Sequence, residues 1–197
     1  MNWKNTGDLP EKVILASGSP RRRELLGQMG VQFEIDVPDV DESVSGTPDK
    51  MVALLAERKA RAVAQKYESG LIVAADTLVA LDDQALGKPQ DDADAKRMLR
   101  ALSGRTHDVY TGVCVMDAAS GEAAVCAERT GVVFRELTDE EINAYVATGE
   151  PRDKAGAYAI QGGAGAFVTG YEGSRTNVIG LPVERLEEML RRMNGKR

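Results

Sequence analysis

Residues 13–26, Val-Ile-Leu-Ala-Ser-Gly-Ser-Pro-Arg-Arg-Arg-Glu-Leu-Leu, leave the chain few ways to fold. An apolar run of strand type ends at Ala16, a tight polar turn follows, and a helix begins. Ser19 is placed to cap that helix, with Pro20 at its first position, where the missing N–H costs nothing. Leu25, Leu26 and Met29 recur at helical spacing and should face a core. The turn then aims free backbone N–H groups, the positive end of a helix dipole and two or three guanidinium groups into one small volume. That combination binds an anion, most readily a phosphate. The plainer alternative is a basic, solvated first turn. Each cation at a helix N-terminus costs roughly 0.3–1 kcal/mol against the macrodipole, so three together make more sense with an anion present.

The rest of the chain mixes strand and helix patterns. Residues 1–11 read as a loose leader, 12–17 as the first strand, 19–29 as the first helix and 31–37 as a second strand. Asp39, Asp41 and Glu42 form an acidic loop cluster. A long helix is expected over 47–67, with Met51, Leu54, Leu55 and Ala62 on its buried face. Residues 71–75 form a nearly continuous apolar run, the mark of a central strand covered on both faces. Asp76-Thr77 interrupts the run, residues 78–81 resume it, and 82–84 make a turn. Asp91 and Asp92 start a helix whose core face is Ala95, Met98, Leu99 and Leu102, with Ser103-Gly104 as its stop. Residues 106–116 and 123–134 read as a β-hairpin. Thr138 and Glu141 make a capping-box start for a helix to about residue 147. A Gly/Ala-rich segment over 153–169, anchored by Tyr158, Ile160, Phe167 and Val168, leads to a loop over 173–180. After Pro182 comes a last helix with Val183, Leu186 and Leu190 inward. This order predicts an α/β or α+β chain, a mixed twisted sheet with flanking helices. Its 197 residues make one domain, or one domain with two lobes.

Composition narrows the function. A formal charge of -6 argues against a general nucleic-acid binder but not against one small polyanion in a locally basic pocket. With 43% hydrophobic and 28% charged residues the chain reads as soluble and globular. No apolar run approaches the roughly 18–20 residues of a membrane span. The N-terminal stretch shows no apolar signal-peptide core, so the expected location is cytoplasmic. Cys114 and Cys126 lie in apolar strand-like runs without metal spacing and read as reduced core residues. Gly87-Lys88-Pro89 is not a Walker loop, and Gly163-Ala164-Gly165 lacks the third glycine of a dinucleotide fingerprint. His107, the single histidine, reads as structural, which removes histidine-based triads.

What remains is carboxylate and cation chemistry. Asp76 is the sharpest candidate, because an acid inside an apolar strand needs a partner or a task. Glu42 is a weaker one. Arg21, Arg22, Lys59, Lys88 and Lys154 together could neutralise a triphosphate. Carboxylates with such cations and no histidine suit divalent-metal-assisted attack of water on phosphorus.

The same residues carry a resemblance. Ser17, Arg21 and Arg22 are followed by Asp41-Glu42, then Ala56-Glu57-Arg58-Lys59-Ala60 and Ala74-Ala75-Asp76-Thr77-Leu78-Val79. Next come Leu86-Gly87-Lys88-Pro89, Met98-Leu99-Arg100-Ala101-Leu102-Ser103-Gly104 and His107-x-Val109-x-Thr111-Gly112-Val113. Gly149-Glu150-Pro151-x-Asp153-Lys154-Ala155-Gly156-Ala157-Tyr158-x-Ile160-Gln161-Gly162 and Asn177-Val178-x-Gly180-Leu181-Pro182 complete the series. From about residue 12 to 190 this resembles the Maf family of nucleoside triphosphate pyrophosphatases. The block ending in Gln161-Gly162 resembles the subgroup acting on dTTP and UTP rather than on 7-methyl-GTP. Two positions depart: Ala159 stands where glycine is usual, and Arg175-Thr176 where a Tyr-containing segment is common.

The resemblance implies a single Maf-like domain over 1–197 with an elongated, two-lobed, inosine-triphosphatase-like fold and a cleft between the lobes. It implies hydrolysis of dTTP and UTP, with modified pyrimidine nucleotides as further candidates, to monophosphate and pyrophosphate, a house-cleaning task. Asp76 matches the proton acceptor. Arg21, Thr77 and Gln161 match selectivity positions. Ser17, Arg22, Lys59, Lys88 and Lys154 would hold phosphates, and Glu42 with Asp76 a divalent cation (Mg, Mn or Co). Expected partners are small nucleoside triphosphates, with a homodimer allowed and neither nucleic acid nor membrane. The rival expectation is a nucleotide-sensing or septum-control protein that uses the pocket without turnover. The Gln161 amide offers a donor beside an acceptor, matching the O4 and N3–H of uracil or thymine. A freely flipping amide would match cytosine as well, so neighbours such as Thr77 and the glycine-rich backbone must orient it.

Overall fold

The computed structural model describes residue 10 and residues 12–195, so the expected leader lies, apart from Pro10, outside the described residues. The strands are β1 (Val13–Leu15), β2 (Phe33–Ile35), β3 (Leu71–Leu81), β4 (Gln84–Leu86), β5 (Thr106–Asp117), β6 (Ala123–Phe134) and β7 (Val168–Glu172). They form one seven-stranded mixed sheet in the order β2-β1-β3-β5-β6-β7, with β4 attached to β3. β1 runs parallel to β2 and β3, Val13 pairing with Phe33 on one side and Leu71 on the other. β4 and β7 are antiparallel to β3 and β6. Residues 71–75 of β3 are buried, as an apolar run covered on both faces requires. The helices are α1 (Pro20–Gln28), α2 (Pro48–Ala64), α3 (Asp92–Leu102), α4 (Asp139–Ala147), α5 (Arg175–Ile179) and α6 (Val183–Asn194). None is long and apolar enough to cross a membrane.

Contacts divide the chain into two compact units, residues 1–76, 111–128 and 180–197, and residues 77–110 and 129–179. In the first, Ile14, Ala16, Ile72, Ala74, Cys114 and Met116 pack with Ala56, Ala60 and Val63 of α2. The core of the second is rich in aromatic rings: Phe134, Tyr145, Tyr158 and Phe167 join Met98, Leu99 and Leu102 of α3. His107 is buried there, edge-on to Phe134 and Tyr158, with Nε2 2.7 Å from the Tyr158 hydroxyl. Both cysteines are free thiols, Cys114 buried and Cys126 half-buried.

Most local expectations agree with the structure. Ser19 caps α1 by accepting from Arg22 N, Asp91 caps α3, and Thr138 with Glu141 forms the capping box of α4. The four apolar residues expected on α3 are all buried. Four expectations need correction. β1 and β2 are shorter than 12–17 and 31–37, because only three residues of each pair in the ladder. The buried face of α2 is Val52, Leu55, Ala56, Ala60 and Val63; Leu54 is 46% exposed, and Met51 and Ala62 are only partly covered. Small residues at 56 and 60 let the helix lie close to the sheet, and a Cβ on Gly112 of β5 would run into the Val52 carbonyl. The turn after β3 is two residues, Asp82 and Asp83, with φ 51° and 61°. Such a primed turn returns the chain as β4, starting at Gln84. The loop over 173–180 contains α5, nucleated where Ser174 Oγ accepts from Asn177 N at 3.3 Å.

Candidate active site

In the first unit the turn after β1 brings Ser17, Ser19 and Arg22 together. Ser17 is buried, and its hydroxyl accepts from Ser19 N at 3.2 Å and from Arg22 Nη1 at 3.3 Å. Arg22 Nε donates to the Gly180 carbonyl at 2.8 Å, tying the turn to the segment before α6. The three arginines do not act as one cluster. Arg22 folds inward, Arg21 is half-buried, and Arg23 is exposed and lines an open pocket with Ser17, Gly18, Ser19, Pro20, Glu24 and Ile35. Burial lowers the Arg22 pKa, the Asp76 charge opposes that, and the neighbouring Arg21 charge adds to it while Glu42 offsets it. The guanidinium therefore lies in the field of both candidate carboxylates.

Those carboxylates share one ammonium. Lys59 Nζ of α2 is 2.6 Å from Asp76 Oδ1 and 2.6 Å from Glu42 Oε1. Lys59 and Asp76 are largely covered, with 12% and 15% of their side chains exposed, whereas Glu42 is 57% exposed. Asp76 thus has both a partner and access to solvent. Glu42 reaches Lys59 because its loop is strapped to α2: Arg58 Nη1 donates to the carbonyls of Asp41 and Ser43. Ser43 N in turn donates to Asp41 Oδ1 at 2.8 Å, and this bond leads the lowering of the Asp41 pKa.

The donor set suits one kind of cation. Among the described residues no group of three or more His, Cys, Asp and Glu could hold a metal by itself. Two carboxylates, one of them exposed, match the way Mg²⁺ and similar ions are held, by one or two carboxylates with substrate phosphates completing the shell.

The second unit carries the remaining candidates. Thr77 continues β3 and is partly exposed. Lys88 is exposed in the segment after β4. Lys154 is 13% exposed and ion-paired with Asp153. Gly156 N donates to the Gly87 carbonyl at 3.0 Å, which brings the segments bearing Lys88 and Lys154 side by side. Gly156 has φ +66°, and a Cβ there would press on Val79. Gln161 is not a core residue; it lies exposed in a turn.

Sequence reasoning missed the residues that hold these groups in place. The Gly180 carbonyl that grips Arg22 leaves no side-chain signal, and its partner is 158 positions away. Arg58 was readable only as a neighbour of Lys59. Glu150 carried no role of its own in the motif that contains it, yet its carboxylate accepts from Tyr145 Oη and Gly163 N.

Comparison with known proteins adds to this geometry. A family model described as Maf-like protein matches residues 12–193. A dTTP/UTP pyrophosphatase of Pelotomaculum thermopropionicum is 54% identical over 184 residues, covering 92% of this chain and 96% of the relative. One from Moorella thermoacetica is 53% identical over 181 residues, covering 91% and 93%. One from Bacillus cereus is 47% identical over 196 residues, covering 98% and 96%.

Proposed function

The chain belongs to the Maf family, and from that premise we propose that it is a nucleoside triphosphate pyrophosphatase that hydrolyses dTTP and UTP. The reaction adds water across the α–β anhydride, releasing the nucleoside monophosphate and pyrophosphate. Its task is to clear pyrimidine triphosphates from the nucleotide pool, in the cytoplasm. The observation that carries the reading is the Asp76–Lys59–Glu42 group in the electrostatic field of Arg22. An ammonium and a guanidinium meet polyphosphate charge, and a carboxylate stands ready to take a proton.

Asp76 accepts the proton of the attacking water at its carboxylate. Its bond to Lys59 fixes its direction in a largely covered position. Ser17 and Arg22 hold phosphate at the N-terminus of α1, where the helix dipole favours negative charge. Lys59, Lys88 and Lys154 add neutralising charge. Glu42 and Asp76 would hold a divalent cation, Mg²⁺, Mn²⁺ or Co²⁺, which when bound supplies further charge neutralisation at the phosphates. Arg21, Thr77 and Gln161 select the nucleotide. The exposed Gln161 amide can pair with O4 and N3–H of uracil or thymine.

The test is release of pyrophosphate against orthophosphate over a panel of nucleotides with each of the three metals. dTTP and UTP should lead, ahead of dCTP and the purines, with 7-methyl-GTP poor and no orthophosphate formed. Gln161→Glu should cut dTTP and UTP turnover sharply, because a second acceptor then faces O4. Fastest hydrolysis of 7-methyl-GTP would overturn both the substrate class and the role of Gln161. Light scattering on the same preparation decides whether the working form is a homodimer.

A further inference from the structure

Gln161 occupies the third position of a four-residue turn, 159–162, closed by Gly162 N donating to the Ala159 carbonyl at 3.1 Å. Residues 161–163 are all exposed. A surface turn of this kind, followed directly by two glycines, Gly162 and Gly163, would ordinarily rock. This one is held from beneath at both ends by the same pair of side chains. Tyr145 Oη accepts from Ala159 N at 3.4 Å and donates to Glu150 Oε1 at 2.9 Å. Glu150 Oε2 accepts from Gly163 N at 3.1 Å.

The fit around the brace is close. A Cβ on Gly162 would collide with the Glu150 carboxylate, and one on Gly165 would press on the Ile160 carbonyl. The Tyr145 ring is buried and stands edge-on to Phe167, 5.3 Å between centroids and 86° between planes. The hydroxyl is thus delivered by a side chain that cannot easily turn away. Placing a carboxylate under a surface turn requires partial desolvation that an apolar residue would avoid. The arrangement makes sense where the orientation of the turn matters more than its stability.

We infer that Tyr145 and Glu150 are positioning residues for base selection. They hold the 159–163 backbone, and the fixed N–H and C=O groups of that backbone then set which way the Gln161 amide faces against the base, so that it meets a uracil or thymine edge and does not flip to match cytosine. This rests on the reading of Gln161 as the residue that pairs with the base. An amide on a rocking turn satisfies either edge. An amide on a braced turn leaves polar groups unpaired when the edge is wrong, and that penalty is the discrimination.

The experiment compares kcat/KM for dTTP with that for dCTP in the wild type, Tyr145→Phe, Glu150→Gln, Gln161→Ala and the Tyr145→Phe/Gln161→Ala pair. Tyr145→Phe keeps the ring packing and removes only the hydroxyl. It should lower the dTTP:dCTP ratio about tenfold, through KM for dTTP, with kcat nearly unchanged. Glu150→Gln should lower the ratio less, since its amide keeps one acceptor, and it carries the same test if the Phe variant fails to fold. In the Gln161→Ala background Tyr145→Phe should lower the ratio no further. A Phe variant that slows both nucleotides equally at an unchanged ratio, or additive effects in the pair, would overturn the inference. Should Gln161→Ala itself leave the ratio intact, the base-pairing role of Gln161 falls, and the brace loses its purpose with it.

Discussion

The two units hold their functional groups by different physics. In the first, Lys59 holds Asp76 and Glu42 by charge, and Arg22, anchored on Ser17 and the Gly180 carbonyl, lies in their field. In the second, Gln161 is carried on a turn fixed by an aromatic hydroxyl, a carboxylate and two backbone amides over a ring-rich core. A charge cluster suits a substrate that is itself mostly charge, because binding replaces one set of ionic partners with another. A braced turn suits recognition of a flat, neutral edge, where a shift of an ångström costs a hydrogen bond. Each unit should therefore fail in its own way when perturbed.

The sharpest test of this contrast is Asp76→Asn. The change preserves shape and removes the proton acceptor. Loss of a general base should lower kcat by roughly 10²–10⁴. Binding of a non-hydrolysable dTTP analogue, measured by calorimetry, should persist, and the dTTP:dCTP preference in that binding should be unchanged. Wild-type turnover by the Asn variant would remove Asp76 from the chemistry and leave the first unit with a purely electrostatic role.

What the sequence made legible follows the same division. Ser19, Pro20 and the arginines announce a capped, basic helix start within a few residues, and Asp76 stands out because an acid breaks an apolar strand. Local rules of capping and burial reach that far. They do not reach the Gly180 carbonyl, since a backbone oxygen looks alike everywhere in a sequence. They do not reach the Tyr145–Glu150 brace either, because a buried tyrosine on α4 and an acid before a proline each have an ordinary explanation. The face of α2 was misread for a related reason. Counting large apolar residues favoured Leu54, whereas close packing of α2 on the sheet favoured small residues at 56 and 60. β4 was missed because a primed turn of two aspartates resembles any polar loop until its φ values are known.

Acid should separate the units by stability. His107 is 2% exposed in the second unit, its pKa pushed down to about 4 chiefly by burial. Between about pH 6.5 and 4 the unfolded chain then binds a proton that the folded one does not. Stability rises with pH across that window and falls as acid is added, by up to about 3 kcal/mol for the whole span. Urea unfolding at pH 7 and pH 4.5, followed by tyrosine fluorescence and by amide exchange, should show weakening centred on the His107–Tyr158 core. His107→Gln should flatten the pH dependence in that window. Equal slopes in variant and wild type would mean that carboxylates elsewhere govern acid unfolding.

The smallest expected effect is that of Arg22→Ala, and it bears most directly on the division of labour. Arg22 is not wholly available to substrate: Nε is committed to the Gly180 carbonyl and Nη1 to Ser17. Its charge nevertheless lies beside Asp76 and Glu42, where a polyphosphate would come. Removing one charged hydrogen-bond donor from phosphate should raise KM about tenfold. The phosphates are the same in every nucleoside triphosphate, so dTTP, UTP and dCTP should lose alike. Added salt should reproduce part of the loss in the wild type by screening, and should affect the Ala variant less. The reciprocal result is required of the braced turn, where Tyr145→Phe changes the ratio between nucleotides and leaves the salt dependence untouched. If Arg22→Ala changes the dTTP:dCTP ratio rather than all KM values together, charge and base recognition are not separable in this protein. The α1 turn would then have to be read as part of the selectivity apparatus, alongside Arg21.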